Sequence, residues 1–150
     1  MTFDEDDLRQ HFGCIWPIHV EQFCDLLVSL RRCFGGDLEL MLVLAVIGSR
    51  TMGQRRTHRL SYDEFLTLDR SQSEPDPINL QSIADFSGIP RETVRRKVQA
   101  LQRAGWVLKR DDGYLIATAQ AATDLAPATE ATFRYLTAIS AACLKAVSEK

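Results

Sequence analysis

Long apolar runs are missing from this sequence. The most apolar stretch, 38–47, contains Glu39 and stops at Gly48, far short of the roughly 20 residues that cross a bilayer, so a buried helix is expected there and no membrane association. The opening MTFDEDDLRQ lacks the basic region and apolar core of a signal peptide and the arginines of a transit sequence, which predicts a cytoplasmic chain. Cysteine is sparse: Cys14, Cys24, Cys33 and Cys143 each fall in or beside an apolar helical run. Without a secretory context they are expected to be buried thiols and not a disulfide framework. Histidine is scarcer still, and His11, His19 and His58 belong to no nucleophile elbow, phosphate loop or H-E-x-x-H helix. No carboxylate pair stands apart from surface charge, so an enzyme is not expected, nor a cofactor.

What is present is globular composition, 150 residues with 45% apolar and 25% charged side chains, enough for one domain with helical extensions. His11, Cys14, His19 and Cys24 run H-x2-C-x4-H-x4-C, a spacing similar to a zinc knuckle. Cys24, however, falls inside an amphipathic helix predicted from Pro17, and the glycines of a knuckle's turns are absent, so no metal site is expected. The formal net charge of -2 hides a gradient: residues 1–49 carry 3 basic and 8 acidic groups, 50–110 carry 12 and 7, and 111–150 carry 3 and 5. The cationic middle is the candidate surface for a polyanion, which responds to the local field and not to the chain total.

From Pro17, the residues Phe23, Leu26, Leu27, Leu30 and Phe34 recur at three-to-four-residue spacing until Gly35-Gly36, predicting the first helix. Asp37 then caps a second helix with so little polar face that it belongs at the centre of the fold. Residues 53–77 read as a variable connection, with one short helix where Ser61 and Glu64 form a capping box. Its cations Arg55, Arg56 and Arg59, with Arg50 just before them, are read as a solvated run in preference to phosphate contacts. Pro127 opens a last helix within 119–150 whose stripe is Phe133, Leu136, Ile139, Leu144 and Val147.

Residues 78–118 carry the functional signal. Asn79 is the expected cap of a helix ending at Ser87-Gly88, and Pro90 starts a second helix, 90–104. Ala84 permits a close crossing, with Ile83, Ile89 and Val94 filling the angle. At 100° per residue, Val94, Val98 and Leu101 share the packing face, while Arg91, Arg95, Arg96, Gln99, Gln102 and Arg103 share the opposite arc. Gly105 ends that helix, and residues 106–110 and 114–118 flank Asp111-Asp112-Gly113 as a β-hairpin.

The segment LQSIADFSGIPRETVRRKVQALQRAGWVLKRDDGYLIAT resembles the winged helix-turn-helix transcriptional regulators of bacteria. With helices on both sides it is similar to the MarR-like group, and its core also matches GntR-like or Crp-like winged helices. The resemblance implies a mainly α fold with a small β-hairpin wing between N- and C-terminal dimerisation helices. It also implies a homodimer that binds specific double-stranded DNA with helix 90–104 in the major groove, and room for a small-molecule effector. Arg91, Arg95 and Arg96 would meet guanine, Glu92 cytosine and Thr93 a phosphate, with Gln99, Lys109 and Arg110 completing the DNA surface. Leu26, Leu30, Phe34, Phe133, Leu136, Ile139 and Leu144 would form or support the dimer interface. Two departures from the family stand out: Lys97 occupies a usually apolar position, and the hairpin tip is acidic where related wings carry arginine or lysine. The alternative is a winged helix that binds a protein partner through that acidic tip.

Overall fold

The computed structural model describes residues 2–53, 57–70 and 76–149. It is mainly helical with one two-stranded antiparallel sheet, in the order α1 (Glu5–Gln10), α2 (Phe12–Cys33), α3 (Leu38–Thr51), α4 (Tyr62–Thr67), α5 (Leu80–Ser87), α6 (Arg91–Arg103), β1 (Val107–Lys109), β2 (Leu115–Ala117), α7 (Ala119–Asp124) and α8 (Ala126–Ser148). No described helix is long and apolar enough to cross a membrane. The chain forms two compact units: Met1–Gly35 with Ala126–Lys150, and Gly36–Leu125.

In the first unit, α1 is a polar helix that the apolar pattern did not reveal. Asp4 caps it by accepting from the Asp6 and Asp7 amides, while Asp7 accepts in return from the Asp4 amide, so three otherwise orphaned donors are satisfied. The helix expected from Pro17 begins earlier, at Phe12, and contains the proline. Burial of Ile15 and stacking of Phe12 on Trp16 at 5.1 Å favour the earlier start. The hydrogen bond that Pro17 forfeits belongs to the Gly13 carbonyl, and both residues are exposed, where water replaces the donor. Along α2, Phe12, Trp16, His19 and Phe23 form a ladder of rings with neighbouring centroids 5.1–5.4 Å apart.

α8 runs antiparallel to α2: Tyr135 meets His19 and Phe23, while the later Ile139 shares a cavity with the earlier Ile15 and Trp16. The buried residues of α8 are Ala128, Ala131 and Ala146. Beside Tyr135 and Ile139, α8 thus buries only small methyl groups, which allows a close approach. The stripe of Phe133, Leu136 and Leu144 consequently faces outward, Leu144 being 69% exposed. The expectation of buried thiols is corrected: Cys14 and Cys24 are exposed, and Cys33 and Cys143 half-buried. The cysteines lie beside apolar runs in sequence, but the packing contact takes a different side of each helix.

In the second unit α3 is central, packed against α5, α6 and β2, with Val43, Leu44, Val46 and Ile47 buried. Asp37 caps it, accepting from the Leu40 amide at 2.9 Å. The hairpin pairs Val107 with Ala117, Leu108 with Ile116 and Lys109 with Leu115. The outward amides of β2 are satisfied elsewhere: Leu115 donates to the Ile78 carbonyl at 3.1 Å, and Ala117 to the Thr51 hydroxyl at 2.9 Å. Thr51 is fully buried and donates in turn to Ile47 at 3.0 Å, so the last turn of α3 is fastened to the hairpin.

The described part of the stretch expected as a variable connection, residues 57–70, is built around α4 and a buried arginine. Ser61 caps α4 by accepting from the Glu64 amide. Arg70 is buried at 3% exposure, its guanidinium 4.4 Å from the Phe65 ring centre and donating to the carbonyls of Leu68 and Phe65. Burial lowers its pKa, and the cation–π contact and two carbonyls offset part of that cost. Arg55 and Arg56 lie outside the described residues, as does most of the Ser/Pro-rich tract, 71–75.

Candidate nucleic-acid interface

The turn between α5 and α6 follows from its residues. Gly88 adopts φ +74, a left-handed conformation that favours glycine, and its amide closes α5 on the Ala84 carbonyl at 2.9 Å. The Ser87 hydroxyl donates to Ile83 and accepts from Ile89. Ile83, Ile89 and Val94 are all buried in this angle. Pro90 sits at the N-cap of α6 with φ -55, and no side chain caps that helix. At the far end Gly105, at φ +79, donates to Gln102 while Trp106 donates to Leu101, a double closure that directs the chain into β1.

Val94, Val98 and Leu101 hold α6 in place by burial. Lys97, three residues after Val94, is 22% exposed at its side chain. Its ammonium pairs with Asp37, and Glu39 lies 3.9 Å away. Burial pushes the Asp37 carboxyl up, but the Lys97 ammonium and backbone amides outweigh it and hold the group below the usual carboxylate range. Lys97 is thus a fastening between α6 and the start of α3, which removes it from the outward cationic face.

The remaining polar side chains of α6 divide into two rows. Arg91, Arg95, Gln99 and Gln102 line a cleft of about 450 Å³ together with Lys109 of β1 and Asn79 and Gln81 at the start of α5. Glu92, Arg96 and Arg103 are exposed and lie about 100° further round the helix. Arg95 donates through Nε to Glu92 at 2.9 Å. This hydrogen bond holds Glu92 below the usual carboxylate range and raises the Arg95 pKa. Both side chains remain substantially exposed, so solvent screening leaves the pair weak enough for phosphate or a base edge to displace it. Half-buried Thr93 accepts from Arg96 at 3.4 Å.

On the hairpin Lys109 is exposed, whereas Arg110 lies 3.4 Å from Asp112. Asp112 also accepts from the Tyr114 amide at 3.1 Å, so its carboxylate builds the turn and offsets the neighbouring cation. Of the residues singled out in the sequence, the fold gathers Arg91, Arg95, Gln99 and Lys109 at one cleft, keeps Glu92, Thr93 and Arg96 on the adjoining arc, and folds Arg110 onto its own turn. Gln81 and Asn79 join the cleft without having been anticipated. Asn79 is also the expected cap, a role it fills by accepting from the Ser82 amide at 3.0 Å, and the signal for Gln81 is its place in the first turn of the helix that packs on α6.

The interface residues expected for a dimer separate by exposure. Leu26 and Phe34 are buried within the chain, Leu30 and Ile139 are half-buried, and Phe133, Leu136 and Leu144 are exposed. His11, Cys14, His19 and Cys24 are spread from the cap of α2 along its length, with His19 Nδ1 engaged by the Tyr135 hydroxyl at 2.8 Å. Among the described residues no group of three or more metal-ligating side chains is placed to hold an ion. No family model, curated protein or solved structure matches the chain.

Proposed function

We propose that residues 36–125 form a winged helix-turn-helix and that the chain is a MarR-like transcriptional regulator that reads double-stranded DNA as a homodimer. The observation that carries this reading is the exposed cationic and amide face of α6, whose packing face is wholly committed to α3, α5 and β1. Arg91 and Arg95 are suited to guanine O6 and N7 through paired guanidinium donors, Gln99 and Gln102 to adenine, and Lys109 and Arg96 to phosphates on either side. The uncapped first turn of α6 offers backbone amides to the same anionic backbone. Phe133, Leu136 and Leu144, apolar and outward, are the contacts assigned to a second copy, with Leu26 and Phe34 supporting them from within.

Selection of genomic duplex fragments by the full chain tests specificity. Enriched sites should form two-fold related half-sites about 34 Å apart; Arg95→Ala should lose selected sites by roughly tenfold, the low end of one to three kcal/mol per base contact, and Arg96→Ala should weaken binding to all sequences alike. Variants that retain the parent's sites and affinity would exclude α6 from the groove. A protein-binding winged helix is the second reading, favoured by the exposed Asp111 at the hairpin tip and by the Arg110–Asp112 pair beside it. Binding to that kind of partner lacks the steep salt dependence of duplex binding.

A further inference from the structure

The cleft between α5, α6 and the hairpin encloses about 450 Å³, a volume within the range of small-molecule sites. Arg91, Arg95 and Lys109 converge on it from two elements, and among the described residues no carboxylate lines it. We propose that a free nucleoside monophosphate binds in this cleft and excludes duplex DNA from α6; the exclusion rests on the DNA-reading proposal, the binding does not. The side chains of Arg91, Gln99, Gln102 and Lys109 make no hydrogen bond or ion pair with any described residue, so a ligand meets polar groups that no internal partner occupies. Arg95 turns Nε and Nη2 to Glu92, which lies outside the lining, and keeps Nη1.

Charge selects an anion, and two guanidiniums beside an ammonium suit a phosphate group, which arginine engages through paired donors. The floor of the cleft selects more than a bare ion. Val98 and Leu115 are buried there and Leu80 half-buried, an apolar surface for the flat face of a ring. Gln99 and Gln102 stand three residues apart on the same side of α6, and each amide carries a donor beside an acceptor, the pattern that meets the edge of a heterocyclic base. At 1.5 Å per residue, Gln99 lies about 6 Å along the helix from Arg95, a spacing that the phosphate and base of one nucleotide span. An uncharged nucleoside forgoes the cations, and a sugar phosphate forgoes the amides and the floor.

Calorimetric titrations of the full-length protein at constant ionic strength compare AMP with adenosine, ribose 5-phosphate and inorganic phosphate. AMP should bind once per chain, about tenfold tighter than adenosine and about threefold to tenfold tighter than ribose 5-phosphate. Lys109→Gln, at an exposed strand position, should weaken AMP about threefold to fivefold and leave adenosine unchanged. Gln99→Ala should weaken AMP about twofold to threefold and leave ribose 5-phosphate unchanged. Ribose 5-phosphate or inorganic phosphate binding as tightly as AMP would overturn the proposal, as would an absence of AMP binding at millimolar ligand. An equal loss of AMP affinity in Arg32→Gln, an exposed cation of the first unit, would overturn it too, by reducing the effect to net charge. A selected duplex should lose about twofold in apparent affinity when free AMP equals its Kd. AMP that binds without weakening the duplex would remove the duplex from the cleft and overturn the exclusion. Duplex binding that needs Arg95, in a protein that binds no AMP, would overturn this inference and leave the DNA-reading proposal standing.

Discussion

Thr51→Val tests whether one buried hydroxyl holds the hairpin in place. Thr51 is fully buried, and its oxygen accepts from the Ala117 amide at 2.9 Å while donating to Ile47 at 3.0 Å. Valine preserves the shape but leaves the amide of a half-buried strand residue without an acceptor. An unsatisfied donor costs about 1–3 kcal/mol, and the partial exposure of Ala117 places the expected loss at about 1–2 kcal/mol. Thr51→Ser keeps the hydroxyl and removes one methyl, a loss of about 0.8 kcal/mol before any cavity cost. Stability alone separates the two variants weakly, but amide exchange separates them sharply: Ala117 should lose protection in the valine variant and retain it in the serine variant. Urea unfolding followed by Trp106 fluorescence, with Trp16→Phe to silence the other indole, supplies the energies. A valine variant that matches the parent in both stability and Ala117 protection would refute this account of the hairpin.

Two further perturbations probe the packing. Lys97→Met should flatten the acid limb of stability. Asp37 titrates below its unfolded value, so the pair's contribution is fully present above the usual carboxylate pKa of about 3.9 and is lost as pH falls through the folded value; unfolding as pH falls from about 4 downward should therefore be less pH-dependent in the variant than in the parent. Ala131→Leu inserts bulk where α8 presents a buried methyl group to α2, and overpacking should cost about 1–3 kcal/mol in thermal unfolding. A variant as stable as the parent would contradict the close approach described for those helices.

The second unit was readable where local chemistry decides structure. Gly88 and Gly105 mark left-handed positions, Asn79 and Asp37 cap helices, and the arc of arginines opposite Val94, Val98 and Leu101 appears in the periodicity of α6 itself. The first unit was harder because its outcome depends on pairing between distant segments. Nothing in the α8 stripe discloses that Ala128, Ala131 and Ala146 are the residues buried, since that choice depends on pairing with a helix far along the chain. Pro17 is a good start signal locally, and burial of Ile15 overrides it. Lys97 looked like an exception to an apolar pattern until Asp37, distant in sequence, supplied its counter-ion. The cleft likewise needed the tertiary fold to bring Gln81 beside Arg91 and Lys109.

The most direct test of the proposed DNA interface is the salt dependence of affinity for a selected duplex, measured with the parent and with Arg96→Ala. The logarithm of affinity should fall linearly with the logarithm of salt concentration, and each phosphate contact removed from a protomer should reduce the slope by about 0.9. Binding that ignores salt, or an Arg96→Ala slope and affinity indistinguishable from the parent's, would contradict an α6 face that meets the nucleic-acid backbone.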